Sequence, residues 1–411
     1  MVDAKPTETK GEDTFVDTQK FEKGLVQKIV LTGGPCAGKT TAMTYISTKL
    51  REMGLKVLIV PEVATIFATG GGLINIHKMT LQQNVRFQTT LIKTIMDLED
   101  RFCELAEISG EQTVVLCDRG VLDSKAYISP EGWQALMDEN GFNMVNIRDK
   151  RYDAIIHMVT AAEGAEKYYT LENNAARYET DLGVAIDIDR KIRSAWVGHP
   201  ALIIADNLVG SFDEKIRKVY ESVLHVIGLP LVPKFYKKYL IATADPAKPI
   251  PTIPEDIKTE VIQMEDIYIK SSSRRVERKI RKRGQKGSYT YIYSVTQYKK
   301  DIEDITATEF TNDGIEKKRQ ITAREFIALL EEKDPKRKPL EKYRQCFIFE
   351  GNHYFIDTFI NSNKGPFSLL NIEATKSIDS LKLPSFLKVE KDVTEVHAYT
   401  SYEVSKILDA Q

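Results

Sequence analysis

Gly33-Gly34-Pro35-Cys36-Ala37-Gly38-Lys39-Thr40 has the spacing G-x-x-x-x-G-K-[ST]. Lys28-Ile29-Val30-Leu31-Thr32 precedes it and reads as a buried strand; Thr41 to Met53 follows and reads as a helix. That context gives the motif its meaning. A phosphate needs donors at close range without side-chain bulk. Glycines let backbone N–H groups curl around it, and a helix N-terminus adds partial positive charge. Gly33, Gly34, Pro35, Cys36, Ala37, Gly38, Lys39, Thr40 and Thr41 are therefore expected to hold a nucleoside triphosphate. Lys39 would reach the β- and γ-phosphates, and the Thr40 hydroxyl would hold Mg²⁺.

Working outward, strand and helix signals alternate from Val26 to about Gly228. Strand candidates are Lys28–Thr32, Val57–Val60, Thr113–Cys117, Ala154–Val159 and Ala201–Ile204, with helices notably at Leu81–Ile108 and Asp213–Val226. This order predicts an α/β P-loop NTPase domain, a mostly parallel sheet with helices on both faces, over residues 25–243. The polar stretch 1–24 reads as a disordered tail. Four prolines between Ala244 and Pro254 mark 244–258 as an extended linker. Beyond it, over 259–411, short alternating runs (Val261–Lys270, Ser288–Gln297, Cys346–Phe359, Leu369–Thr375) predict an α+β domain built on antiparallel strands. One helix interrupts them at Thr322–Lys333, with Thr322 and Glu325 as a capping box.

Composition bounds the partners. The 411 residues carry a formal net charge of −1, so attraction of the whole molecule to nucleic acid or membrane is not expected. No signal peptide and no apolar run of membrane-spanning length is present, and a cytoplasmic, at most membrane-peripheral location is expected. Cys36, Cys103, Cys117 and Cys346 are scattered, without paired metal spacing, and fit reduced thiols. Cys36 reads as a small residue shaping the loop or as a redox-sensitive thiol at a helix N-terminus.

Thr113-Val114-Val115-Leu116-Cys117-Asp118 is a buried strand ending in an acid, where a P-loop fold places the carboxylate that organises Mg²⁺. Asp118-Arg119 resembles the Asp-Arg pair of P-loop nucleoside and nucleotide kinases. Glu62 closes the second strand and either faces an acceptor or caps the next helix. Phosphoryl transfer needs cations on the moving charge. Arg177, in the polar segment between the fourth and fifth strands, is the cationic-finger candidate, and Asn207 after the fifth strand is placed to touch a base. These residues do not distinguish ATP from GTP.

The densest charge is Arg274-Arg275-Val276-Glu277-Arg278-Lys279-Ile280-Arg281-Lys282-Arg283. On a strand, Arg275, Lys279, Arg281 and Arg283 share one face. Same-face neighbours about 7 Å apart repel by roughly 2–3 kcal/mol at an effective dielectric of about 20. A buried array therefore needs an anion or acids nearby, whereas a solvated strand edge or a nuclear-localisation signal needs neither. Tyr289, Tyr291 and Tyr293 recur with strand period, which suits sheet packing as well as base stacking, so nucleic acid is not the expected partner.

The chain resembles the TRPL translocation defect protein family, which joins a NadR-like P-loop domain to a CYTH-like domain. The resemblance runs from about Gln27 to Leu408. It is carried by Leu31–Thr41, Val60-Pro61-Glu62-Val63-Ala64, Asp118-Arg119-Gly120 with Asp123 and Tyr127, and Tyr168–Glu179. Ala195-Trp196-Val197-Gly198-His199-Pro200, and Asp206-Asn207 with Ser211-Phe212-Asp213, extend it. The resemblance implies a CYTH-like β-tunnel, GTP binding, anionic phospholipid or phosphoinositide binding and membrane-trafficking protein partners. Enzymatic CYTH domains begin Glu-x-Glu-x-Lys. The matching run here is Gln263-Met264-Glu265-Asp266-Ile267, in which only Glu265 remains, with Glu373 as a later acid and Arg281 and Arg283 as the basic strand. Fewer carboxylates weaken hard-cation binding. The expectation is a switch. GTP or ATP with Mg²⁺ binds and is slowly hydrolysed, with Lys39, Asp118, Arg177 and Glu62 at the reaction centre. An anionic phospholipid or phosphorylated small molecule binds Arg275, Lys279, Arg281, Arg283, Glu265 and Glu373. The rivals are a P-loop small-molecule kinase with a nucleoside or ribosylnicotinamide-like acceptor, and an RNA-end enzyme.

Overall fold

The computed structural model describes residues 26–72, 78–169, 181–207, 211–229, 235–242, 250–273, 275–298, 315–374 and 382–408. The tail 1–24 and Arg177 lie outside them.

Five strands, β1 (Val26–Thr32), β2 (Lys56–Val60), β3 (Thr113–Asp118), β4 (Ala154–Met158) and β5 (Leu202–Ala205), form a sheet in the order β2-β3-β1-β4-β5. Every pairing is parallel. Parallel strands are buried on both faces, which is why they read as continuous apolar runs. Ile29 and Leu31 of β1 pack with α1 (Lys39–Glu52) and α6 (Phe212–Val226) on one face. Val30 points to the other, toward α2 (Val63–Thr69), α3 (Leu81–Ser109), α4 (Pro130–Glu139) and α5 (Leu182–Ala195). On α6, Ile216, Val219 and Val223 recur at helical spacing and are buried, each contributing about 1.5–3 kcal/mol. Thr80 and Gln83 close a capping box at the start of α3.

The second sheet has nine strands in the order β10-β9-β8-β7-β11-β12-β13-β6-β14. They are β6 (Phe235–Ile241), β7 (Thr259–Ile269), β8 (Val276–Gln285), β9 (Ser288–Gln297), β10 (Ile315–Ile321), β11 (Leu340–Phe349), β12 (Asn352–Phe359), β13 (Phe367–Ala374) and β14 (Val389–Asp392). All pairings are antiparallel. The helix α7 (Ala323–Leu329) carries the expected capping box of Thr322 and Glu325. It covers one face through Phe326, against Ile267, Ile280 and Tyr293.

Two features differ from the sequence expectation. β6 precedes the proline-rich segment yet pairs with β13 and β14, so the second sheet begins ahead of residue 243. The segment 250–258 is also not a free spacer. Ile253 and Ile257 pack on the sheet, and the Pro251 carbonyl accepts from Gln345 at 3.0 Å.

Register places Asp266 opposite Arg281, Arg344 opposite Asp357, and Asn371 opposite Lys238, all on one face. An ion ladder runs along it. Arg281 donates to Asp266 at 2.5 and 2.8 Å, and Lys342 bridges Asp266 and Asp357 at 3.3 and 3.1 Å. Arg344 donates to Asp357 at 2.7 and 2.8 Å. Burial, then Lys342, pushes the Lys238 ammonium of β6 below its ordinary range, and Lys279 and Glu277 of β8 also act on it. β6 and β8 stand five strands apart; a flat sheet would separate them by about 24 Å. The sheet is therefore curled, and this charged face is its interior.

Apolar clusters close both ends of the interior. At one end, Leu340, Phe359, Phe367 and Leu369 pack with Val404 of α8 (Ser401–Val404). At the other, Ile262, Met264 and Cys346 pack against Val197, which belongs to the parallel-sheet domain. Beside that contact Arg283 of β8 donates to the Gly198 carbonyl and pairs with Asp149 at 2.9 Å.

Replacing Asp357 by Ala leaves Lys342 and Arg344 without their shared carboxylate. Stability measured by denaturant unfolding should fall by about 3–5 kcal/mol. A loss below about 1 kcal/mol, the value of an exposed pair, would contradict the buried ladder.

Candidate functional site

The loop between β1 and α1 takes a shape that its sequence requires. Gly33 has φ 141°, and a Cβ there would sit 2.0 Å from the Met158 carbonyl oxygen. Gly38 has φ 87°, and a Cβ there would meet the Phe212 ring at 2.6 Å. Cys36 also adopts positive φ, at 54°, which makes consecutive N–H groups converge as in an anion-binding nest. Lys39 opens α1 and lays its ammonium over the Gly33 and Gly34 carbonyls, 3.0 Å from each. Burial, then repulsion from Arg119, pushes that ammonium down to about 8; Asp118, Glu62 and Asp123 pull the other way.

Asp118 ends β3 beside this lysine. Its carboxylate is raised above the usual range by burial, against the pull of Lys39, and its buried Oδ1 has no hydrogen-bond partner. An orphaned carboxylate oxygen next to a phosphate loop fits the place of a hard cation, and Thr40, which follows Lys39, carries the hydroxyl that would join it. Glu62, at the end of β2, accepts from Arg119 and from the Thr65 hydroxyl at 2.6 Å. Burial opposes its charge, but Arg119, Thr65 and Lys39 outweigh burial and hold its carboxyl down to about 2. The structure thus brings Lys39, Asp118 and Glu62 together.

Other residues of the site carried weaker signals. Asp189 on α5 accepts from the Gly34 N–H at 2.8 Å and the Thr160 N–H at 3.0 Å, and its second oxygen meets His157 at 3.0 Å. One of two acids inside an amphipathic helix, beside Asp187, it gave no hint of this. Asp123 accepts from the Thr32 hydroxyl at 2.5 Å and the Trp196 indole at 2.7 Å, with Arg119 3.7 Å away. Phe212, 44% exposed, roofs Gly38. Asn207 donates to the Thr160 and Glu163 carbonyls at 2.7 and 2.6 Å and accepts from Lys215 at 2.8 Å. Its amide thus ties together the loops after β4 and β5. Residues 208–210 lie outside the described ones.

In the second domain, Gln263, Glu265 and Ile267 point away from the interior, and Asp266 is the acid that faces Arg281. Two acids are adjacent in sequence, and a one-residue slip exchanges the faces of a strand. The inward residues at this motif are Met264, Asp266 and Tyr268. Of the basic strand, Lys279 and Arg281 face inward, Arg283 serves the domain contact, and Arg275 is exposed in the turn before β8. Glu373 lies on β13 opposite Tyr236, with its side chain outside the described residues. The Tyr268 hydroxyl is buried without a partner, and Lys279 lies 5.6 Å from its ring.

A family model described as an AAA domain matches residues 28–215, the span of the parallel sheet and its phosphate loop. No curated protein matches the chain in sequence. Among solved structures it is similar to the inorganic triphosphatase NE1496, at 17% identity and a TM-score of 0.30, covering 44% of this chain and 99% of that one. A second structure, called the hypothetical protein NE1496, matches at 16% identity and a TM-score of 0.29, covering 42% of this chain and 97% of that one. No helix among the described residues is long and apolar enough to cross a membrane.

The Lys39 ammonium must be protonated to hold a phosphate. In the free protein it loses its proton above about pH 8, so binding there requires proton uptake. Triphosphate affinity should be flat below that pH and fall by up to roughly tenfold per pH unit above it. Calorimetry in buffers of different ionisation heat counts the proton; an affinity unchanged through pH 9.5 would contradict the assignment.

Proposed function

We propose that this chain is a nucleotide-dependent switch. The P-loop domain binds GTP or ATP with Mg²⁺ and hydrolyses it slowly. The curled sheet binds an anionic ligand, a phosphorylated small molecule or an anionic lipid headgroup. The observation that carries the first half is the convergence of Lys39, the orphaned Asp118 oxygen and the nest of residues 33–38 at the end of a parallel sheet. When bound, the metal would supply charge neutralisation between phosphate oxygens, with Thr40 and Asp118 as its protein neighbours.

Slow turnover follows from Glu62. A carboxylate locked by Arg119 and Thr65, with its carboxyl near 2, is a weak general base at neutral pH. In the interior, an anion would be met by Lys238, Lys279 and the Tyr268 hydroxyl. Asp266 is already engaged by Arg281 and Lys342, which disfavours a carboxylate-held metal there. The finer reading, a regulator of membrane-protein trafficking located at the cytoplasmic face of membranes, rests on the family resemblance alone.

A small-molecule kinase is the second reading, favoured by the Glu62–Arg119 pair standing beside Lys39 where an acceptor would approach. Its mark is nucleotide turnover that requires a nucleoside acceptor. In the switch, Lys39→Ala should weaken nucleotide binding by about 3 kcal/mol or more, roughly a hundredfold. Wild-type phosphate release should stay slow whether or not nucleosides are added. Affinity preserved within a few-fold in Lys39→Ala would overturn the site, and acceptor-dependent turnover would make the chain a kinase.

A further inference from the structure

One stretch of ten residues touches both candidate sites. At its start, Asp189 holds the Gly34 N–H of the phosphate loop. Four residues on, Arg193 donates to the Gly351 carbonyl, at 3.3 Å, in the turn between β11 and β12 of the second domain. The Ser194 carbonyl accepts from Lys258 at 2.9 Å. Trp196 returns to the nucleotide side. Its indole N–H donates to Asp123 at 2.7 Å, and its ring lies so close to Gly120 that a Cβ there would be 2.7 Å from it. Gly120 follows Asp118-Arg119 directly. Val197 then plugs the end of the curled sheet, and the Gly198 carbonyl accepts from Arg283.

Asp189 and Arg193, four residues apart, share one face of α5, and the chain then turns through Trp196 to Gly198, so contacts to both sides come from one short stretch. The bonds of Asp189, Trp196 and Gly198 are buried, that of Arg193 is part-buried and that of Ser194 is exposed, and all share one short backbone stretch. The far end is held by Arg148, which is fully buried, donates to the Val197 carbonyl at 2.8 Å and reaches Gln285 of β8 at 3.1 Å. A displacement at Asp123 or Gly34 therefore moves the residues that seat the second domain. The converse also holds, since coupling between sites is reciprocal.

We infer that the segment Asp189–Gly198 couples nucleotide occupancy of the P-loop to access to the charged interior of the second domain, with Val197 as the movable plug. This rests on the nucleotide-binding reading above and names the regulation of the interior site. Trp196 acts as a positioning residue, through Asp123 and Gly120, and contacts no ligand.

Cys346 reports the seal, because its thiol is 2% exposed and lies in the cluster around Val197. The test uses the full chain and N-ethylmaleimide, with modification at each cysteine read by peptide mass spectrometry. Nonhydrolysable GTP or ATP with Mg²⁺ is added to saturation, and binding is confirmed by calorimetry on the same sample. Labelling of Cys346 should change about fivefold or more, in either direction, as expected for coupled sites. Cys117, in the core of the parallel sheet, should not respond. In Trp196→Phe, nucleotide should still bind but no longer alter Cys346 labelling. Arg193→Ala provides the same comparison if the tryptophan variant does not fold. An unchanged Cys346 rate in nucleotide-bound wild type overturns the inference while leaving nucleotide binding intact. A response that survives in the variants overturns the assigned segment. Absence of nucleotide binding removes the premise, and the inference falls with it.

Discussion

The buried ion pair between Arg283 and Asp149 fixes how the two halves of this chain meet. Neither side chain is more than 2% exposed. Breaking such a pair from one side leaves a bare charge in a low-dielectric contact, which is destabilising by about 3–5 kcal/mol. Arg283 also satisfies the Gly198 carbonyl, and Arg148 next door satisfies Val197 and pairs with Asp149 at 2.7 Å. Gly198 itself has φ 94°, and a Cβ there would lie 2.5 Å from the Arg148 guanidinium. The backbone conformation, the two arginines and the aspartate therefore specify one another. Charge and close packing together seat the parallel domain on the end of the curled sheet.

Much of the parallel domain was legible in the sequence because its signals are local. A strand, a glycine loop and a helix follow one another within thirty residues, and β3 ends on its acid. The second domain was less legible because its determinants are pairings between distant segments. β6 sits ahead of four prolines, which punctuate a chain locally but say nothing of which sheet a strand joins. Glu265 and Asp266 are neighbours, and only register against β8 and β11 decides which one enters the interior. Arg283 shares a face with Arg281, as strand period requires, but its partner Asp149 lies 134 positions away, in a π-helical turn that periodicity does not reveal.

Trp196-Val197-Gly198-His199 shows how a distinctive stretch can serve architecture rather than ligand binding. His199 is buried, its imidazole pushed down to about 3 chiefly by burial, and it bonds the Tyr152 carbonyl at 3.1 Å. It stays neutral at any pH the protein would meet in a cell. The unusual composition is explained by three packing demands at one corner: an indole against Gly120, an apolar plug and a left-handed glycine.

The two candidate sites handle charge in different ways, and this bears on what each can hold. At the phosphate loop the groups are poised: an ammonium with a lowered pKa and a carboxylate oxygen without a partner. In the interior most charges are already matched. Among the described inward residues of β6–β13, leaving aside Glu260 and Arg283 at the domain contact, Lys238, Lys279, Arg281, Lys318, Lys342 and Arg344 face Glu277, Asp266, Glu316 and Asp357, an excess of two positive charges. Lys342 and both inward aspartates are fixed in the ladder, which leaves Lys238, the Tyr268 hydroxyl and Lys279, held only by Glu277 at 3.4 Å, as the adaptable edge. A guest that neutralises two charges through a compact headgroup matches that edge. A polyanion long enough to run the length of the interior would displace the ladder and expose its carboxylates to repulsion. Under the proposed anion-binding reading, the charge pattern of the interior therefore favours a single phosphorylated group over an extended chain of phosphates.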